Sequence, residues 1–85
     1  MVLYKIVFKR SAEKELSRLP KPYVKKMTYA IQDLAENPRS MGAIKLAGTD
    51  AYRIRVGPYR VLYEIHDDVL TVIVIRIADR KEVYG

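Results

Sequence analysis

Between Tyr52 and Ile65 the chain alternates strictly: Tyr52, Ile54 and Val56 are interleaved with Arg53 and Arg55, then Tyr59, Val61, Tyr63 and Ile65 with Arg60, Leu62 and Glu64. A period of two belongs to strands covered on one face only. Gly57-Pro58 lies between the two runs and reads as a tight hairpin turn, with glycine supplying a positive φ at the first central position and proline its fixed φ at the second. The same period in "LYKIVFK" sets Tyr4, Ile6 and Phe8 against Lys5, Val7 and Lys9 and predicts a first strand. "VLTVIVIRI", Val69 to Ile77, is apolar on both faces and predicts a central strand.

Helical spacing takes over between these runs. Ser11 reads as an N-cap, and Ala12, Leu16 and Leu19 then fall at i, i+4 and i+7 on a helix that cannot pass Pro20 and Pro22. Pro22 suits the start of a second helix, whose Val24, Met27, Ile31 and Leu34 repeat at helical spacing until Asn37-Pro38 ends it. The stretch "NPRSMGAIKLAGTDA" reads mostly as loop, and Asp67-Asp68 as a turn. The order β-α-α-β-β-β predicts an α+β domain spanning residues 1–85, a single antiparallel sheet with a helical hairpin packed on one face. Tyr52, Ile54, Val56, Val61, Tyr63 and Ile65 belong to the covered face, leaving Arg53, Arg55 and Arg60 on the open one.

That assignment creates an electrostatic problem. A two-residue loop places Arg55 directly across from Arg60, and like charges opposite each other destabilise a sheet. A negative partner from outside the chain would relieve it. The net charge of +6 on 85 residues points the same way. Residues 1–42 carry nine Lys or Arg against four Asp or Glu, a lysine-rich excess typical of solvated helix surface; residues 43–85 carry seven against six, but their cations are mostly arginine. The planar guanidinium matches phosphate in a bidentate fork, so RNA or another polyanion is the expected partner. The absence of cysteine removes disulfides and thiolate metal sites, no run is long and apolar enough for a membrane, and the start of the chain does not read as a signal peptide. A cytoplasmic protein without cofactor or metal site is expected.

The order of elements, "KLAG" at Lys45 to Gly48, the "YRIRVGPYRVLYEI" hairpin and the closing "DRKEVY" together resemble the RelE/ParE superfamily of toxins from type II toxin-antitoxin pairs, over essentially the whole chain. The resemblance implies the RelE-like microbial ribonuclease fold and an antitoxin partner. For the RelE-like branch it implies ribosome-dependent cleavage of mRNA in the ribosomal A site. Arg53 and Arg55 match the paired cations of the hairpin's first strand in such toxins, Arg60 an arginine of the second, Arg80 an arginine after the last strand, and Tyr84 a tyrosine near the C-terminus. With Lys45 these cations form the implied RNA-binding set, and Arg60, Arg80 and Tyr84 the implied catalytic set. Ala78-Asp79 departs from the Gly-His or Gly-Lys of many relatives. ParE-like members act on DNA gyrase instead, and a degenerate member would serve only in an antitoxin repressor complex.

Cleavage through the RNA's own 2′-hydroxyl needs a base, positive charge around the phosphorane and an acid at the leaving oxygen. Arginine supplies charge but stays protonated, so Tyr84 is the first candidate base, its phenolate favoured by neighbouring guanidinium groups. Glu64 and Asp79 are weaker candidates. His66 reads as a solvated loop residue, Arg76 as a strand-end cation serving either a carboxylate or RNA, and Tyr52, Tyr59 and Tyr63 as packing residues.

Overall fold

A computed structural model describes residues 2–79. Five strands and two helices follow in the order β1 (Lys5–Phe8), α1 (Arg10–Ser17), α2 (Lys21–Glu36), β2 (Ile44–Lys45), β3 (Ala51–Val56), β4 (Tyr59–His66) and β5 (Thr71–Asp79), with a short 3₁₀ turn at Asp67–Val69. The strands form one sheet in the order β1-β5-β4-β3-β2.

The meander β3-β4-β5 is antiparallel as expected, but β1 joins β5 in parallel, Lys5 opposite Thr71 and Phe8 opposite Val74. The sheet is therefore mixed rather than wholly antiparallel. The reason lies in β5, whose apolar residues on both faces require neighbours on both edges. β1 is the strand available for the second edge, and the connection through the helices delivers it in parallel. β2 is a two-residue strand inside the segment read as loop, paired through Ile44 to Arg53 and Lys45 to Tyr52.

The core lies between the helices and one face of the sheet. Ala12, Met27, Ile31 and Leu34 from the helices meet Ile54, Val61, Tyr63, Ile65, Val72, Val74 and Ile77 from the strands, with Ile6, Phe8, Leu16 and Leu19 at its margin. These are the positions that the two periodicities selected. Ser11 does not cap α1: the helix opens two residues earlier, with Lys9 at its N-cap and without a side-chain cap. Lys9 N–H donates to Val74 O at 2.9 Å, so the end of the β1–β5 ladder sets where the helix starts.

The hairpin turn is held from below as well as by its own geometry. Gly57 has φ +59, and Tyr23 in the first turns of α2 packs edge-on to Tyr59 with ring centroids 5.2 Å apart. A Cβ at Gly57 would lie 2.8 Å from Tyr23 Cε1. Left-handed backbone costs a residue with a Cβ about 1–2 kcal/mol, and the contact with Tyr23 adds to that. Gly57→Ala is accordingly expected to lower the unfolding free energy by at least about 1 kcal/mol in urea titration. Gly48→Ala, also at positive φ but with open space around it, should cost less; equal losses would show that Tyr23 does not restrict the turn.

Candidate nucleic-acid interface

The hairpin register is the one expected: Val56 pairs with Tyr59, Arg55 with Arg60, Ile54 with Val61 and Arg53 with Leu62. Since paired residues project to the same side of a sheet, Arg53, Arg55 and Arg60 share the face opposite the helices. Arg55 is exposed and Arg53 half-buried, but Arg60 keeps only 7% of its surface accessible. Arg60 is thus on the open face without being open to solvent. Its other ladder neighbour is Ala78, itself buried.

Lys45 is placed differently. It is exposed and pairs with Tyr52, so its side chain belongs to the opposite side of the sheet from Arg53 and Arg55. One sheet face therefore does not unite all the cations proposed for RNA. Arg80 and Tyr84 lie outside the described residues.

The carboxylates and the histidine sort by distance along β4. Strands advance about 3.3 Å per residue, so His66 lies roughly 20 Å and Glu64 roughly 13 Å from Arg60 along the strand. Neither can share a phosphate with it. His66 is not a loop residue: it ends β4 half-buried, its Nε2 3.1 Å from Glu64 Oε1. Asp79 pairs with Tyr59 and so follows the helix side. Arg76 meets a carboxylate, its Nε 3.8 Å from Glu15 Oε2.

Glu15 and Arg39 are the side chains the sequence reading passed over. Glu15 Oε1 accepts the backbone N–H of Ile77 at 2.9 Å. The signal for it was present, because Ala12, Glu15, Leu16 and Leu19 fall at i, i+3, i+4 and i+7, which puts a carboxylate inside an apolar stripe. Arg39 left no such pattern. From the loop after α2 it donates to both Asp67 carboxylate oxygens, at 3.1 and 2.8 Å, and to Tyr52 Oη at 3.2 Å. Tyr4 Oη donates to the same Asp67 at 2.6 Å, Tyr52 stacks on Tyr63, and the buried Tyr63 hydroxyl donates to Pro38 O at 2.7 Å. This network closes the helix side of the sheet at the end remote from the Gly57 turn. Tyr52 and Tyr63 are packing residues as expected, with hydrogen bonds added.

Its electrostatics follow from these contacts. The Arg39 and Tyr4 hydrogen bonds hold the Asp67 carboxyl down at about 2, while burial pushes the Tyr63 phenol up to about 12. The Asp67 bond in turn raises Tyr4 and Arg39 above their ordinary values.

The geometry has known counterparts. Residues 6–84 match the family model of the ParE toxin of the parDE type II toxin-antitoxin system. The chain belongs to the RelE/ParE toxin family. It is 33% identical to toxin RelG of Mycobacterium tuberculosis over 95% of both chains, and 31% identical to toxin RelE3 of Methanocaldococcus jannaschii over 94% of both. Among solved structures it resembles the archaeal RelE-RelB complex from Pyrococcus horikoshii, with TM-score 0.82 and 27% identity over 93% of this chain and 97% of that one. It also resembles the intact E. coli RelBE complex, with TM-score 0.80 and 28% identity over 89% and 95%. The fold, the α+β class and the RelE-like assignment agree across these comparisons.

The lowered Asp67 carboxyl ties part of the fold's stability to pH. A carboxyl held lower in the folded than in the unfolded chain adds stability that is complete above the unfolded value, near ~3.9, and is lost as pH falls through the folded one. Asp67→Asn should therefore melt below the parent at neutral pH, and the gap should narrow from about pH 4 towards pH 2. A gap that stays constant across that range, followed by circular dichroism, would show that Asp67 ionisation is not linked to folding.

Proposed function

We propose that this RelE-like toxin is a metal-independent, ribosome-dependent mRNA endonuclease held inactive by a cognate antitoxin. The observation that supports the reading is the placement of Arg55 directly across from Arg60, with Arg53 alongside, on the sheet face that the helices leave uncovered. Like charges so placed oppose folding, and an RNA phosphate would turn that repulsion into transition-state stabilisation. On this reading Arg60, enclosed and held by its neighbours, keeps its guanidinium fixed towards the scissile phosphate, and exposed Arg55 and Arg53 grip the flanking backbone. Arg80 completes the charge, Tyr84 is the candidate base, and Lys45 contacts RNA from the far side of the edge strand.

The residues described offer no ordinary acid-base pair beside Arg60, which favours an enzyme that depends on the ribosome to hold mRNA in line. An antitoxin would neutralise the same cations. The solved relatives include toxin-antitoxin complexes, and an apolar groove of about 340 Å³ lined by Phe8, Leu16 and Val24 beside the lysine-rich helices offers an amphipathic acidic segment a seat. A second reading has its own support, since the matching family model is that of ParE: a non-nuclease toxin that inhibits gyrase. A third, a degenerate subunit of a repressor complex, predicts no toxicity.

Arg55→Ala removes an exposed side chain and should leave the melting temperature nearly unchanged, yet lower cleavage of ribosome-bound mRNA by roughly 10²-fold. Arg60→Lys keeps the charge, loses the fork and should cut cleavage at least as far. Tyr84→Phe should do the same if the phenol is the base, and cleaved transcripts should carry 2′,3′-cyclic phosphate ends. If all three variants remain fully toxic with unchanged transcript ends, the nuclease reading fails, and loss of supercoiling in a gyrase assay would support the second.

A further inference from the structure

β1 accompanies β5 only from Thr71 to Val74, while β5 runs on to Asp79. From Ile75 onwards the outer edge of this otherwise central strand has no strand beside it among the described residues, and an edge of unpaired backbone groups frays or recruits other chains. α1 fills the place, and Glu15 reaches from it to accept the Ile77 N–H at 2.9 Å. The second carboxylate oxygen lies farther from its partner, 3.8 Å from Arg76 Nε, so the backbone bond is the closer of the two. A register shift between Leu62 and Tyr63 falls in the same stretch, pairing Leu62 with Arg76 but Tyr63 with Val74. Such a bulge re-aims the residues beyond it and needs something to fix the new direction.

The end of β5 matters for what it lies beside. Ala78 is the ladder partner of Arg60. Ile77, Ala78 and Asp79 also form one wall of a cleft of about 300 Å³, whose other wall includes Glu15, Arg18 and Tyr59. A strand end held only through β4 could swing across that cleft. A strand end held on both edges cannot.

We infer that Glu15 is a positioning residue for the cleavage site: by standing in for an edge strand at Ile77, it fixes the end of β5 against which Arg60 is aligned. The catalytic half of this assignment rests on the nuclease reading. Glu15 touches no reacting atom. Its effect is to hold the cationic groups at the distances that stabilise the transition state rather than to bind mRNA.

The test compares Glu15→Gln, which keeps an oxygen acceptor for the Ile77 N–H, with Glu15→Ala, which removes it. In ribosome-bound mRNA cleavage, Glu15→Ala should lower kcat by roughly 10- to 100-fold with KM changed by less than about threefold, as expected when catalytic groups are displaced without loss of binding contacts. Glu15→Gln should stay within about threefold of the parent on both. Tyr63→Phe, which removes a hydrogen bond at the far end of the sheet, serves as a control for lowered stability and should cleave at the parental rate. Amide hydrogen exchange gives a second, activity-independent reading. The Ile77 amide should lose protection by tenfold or more in Glu15→Ala and keep it in Glu15→Gln, with the core amides of β4 unchanged. Parental kcat in Glu15→Ala overturns the positioning role, and so does an equal loss in Glu15→Gln, which would assign the effect to charge. Unchanged exchange at Ile77 overturns the pin itself. A parent chain that leaves ribosome-bound mRNA intact sinks the nuclease reading and the catalytic half of the inference together, whereas the exchange result then decides the pin alone.

Discussion

β5 is apolar on both faces and must be hydrogen-bonded along both edges, and the rest of the molecule is arranged around meeting that demand. β4 satisfies one edge over the full length. The other is shared between β1 for the first residues and the Glu15 carboxylate beyond. An unpaired buried backbone N–H costs about 1–3 kcal/mol, so a single carboxylate at this point is as much part of the sheet as a strand would be. The parallel pairing of β1, the start of α1 at the last ladder bond and the position of Glu15 in the second turn of α1 are consequences of one strand's requirement.

The arginine face depends on that frame. Arg55 and Arg60 can stay opposite each other only while the register between β3 and β4 is fixed, because a slip of β3 by one residue would send Arg53 and Arg55 to the core side. Gly57 fixes it at the turn, with Tyr23 beneath, and the Tyr52–Tyr63 stack fixes it at the other end. Packing at both ends of the hairpin thus holds the register in which the two arginines are opposed.

Much of this was legible in the sequence because it is written in periodicity. The alternation from Tyr52 to Ile65 sorted core from open face correctly, and the helical stripe of Val24, Met27, Ile31 and Leu34 found the face of α2 that packs inwards. Periodicity cannot say which strands are neighbours, so the parallel β1–β5 pair and the resulting mixed sheet stayed hidden. Nor does it resolve a two-residue strand such as β2, and the side taken by Lys45 follows from that strand's register alone. Burial is the other blind spot: the pattern put Arg60 on the uncovered face, but not that so little of it would reach solvent. Glu15 was visible as a charge in an apolar stripe, whereas Arg39 depends on a contact with Asp67 across 28 positions of sequence, which no local pattern carries.

The cations of the fold divide by what answers their charge. Arg39 is matched by Asp67 in a bidentate pair with further support from Tyr52, and Arg76 lies near Glu15, which also binds backbone. Both join elements distant in sequence: Arg39 ties the loop after α2 to the turn after β4, and Arg76 lies where α1 meets β5. The hairpin arginines add a third arrangement, in which Arg55 and Arg60 lie directly across from each other on β3 and β4, and like charges so placed weigh against the pairing of the two strands. Strand pairing alone does not call for it, since a neutral strand former in place of exposed Arg55 would remove the repulsion at no loss of pairing. A polyanion would make the repulsion favourable, whether the phosphates of RNA or the acidic residues of an antitoxin. On the proposed reading the two compete for the same feature, and an antitoxin that neutralises the face would stabilise the toxin by the same contacts that silence it.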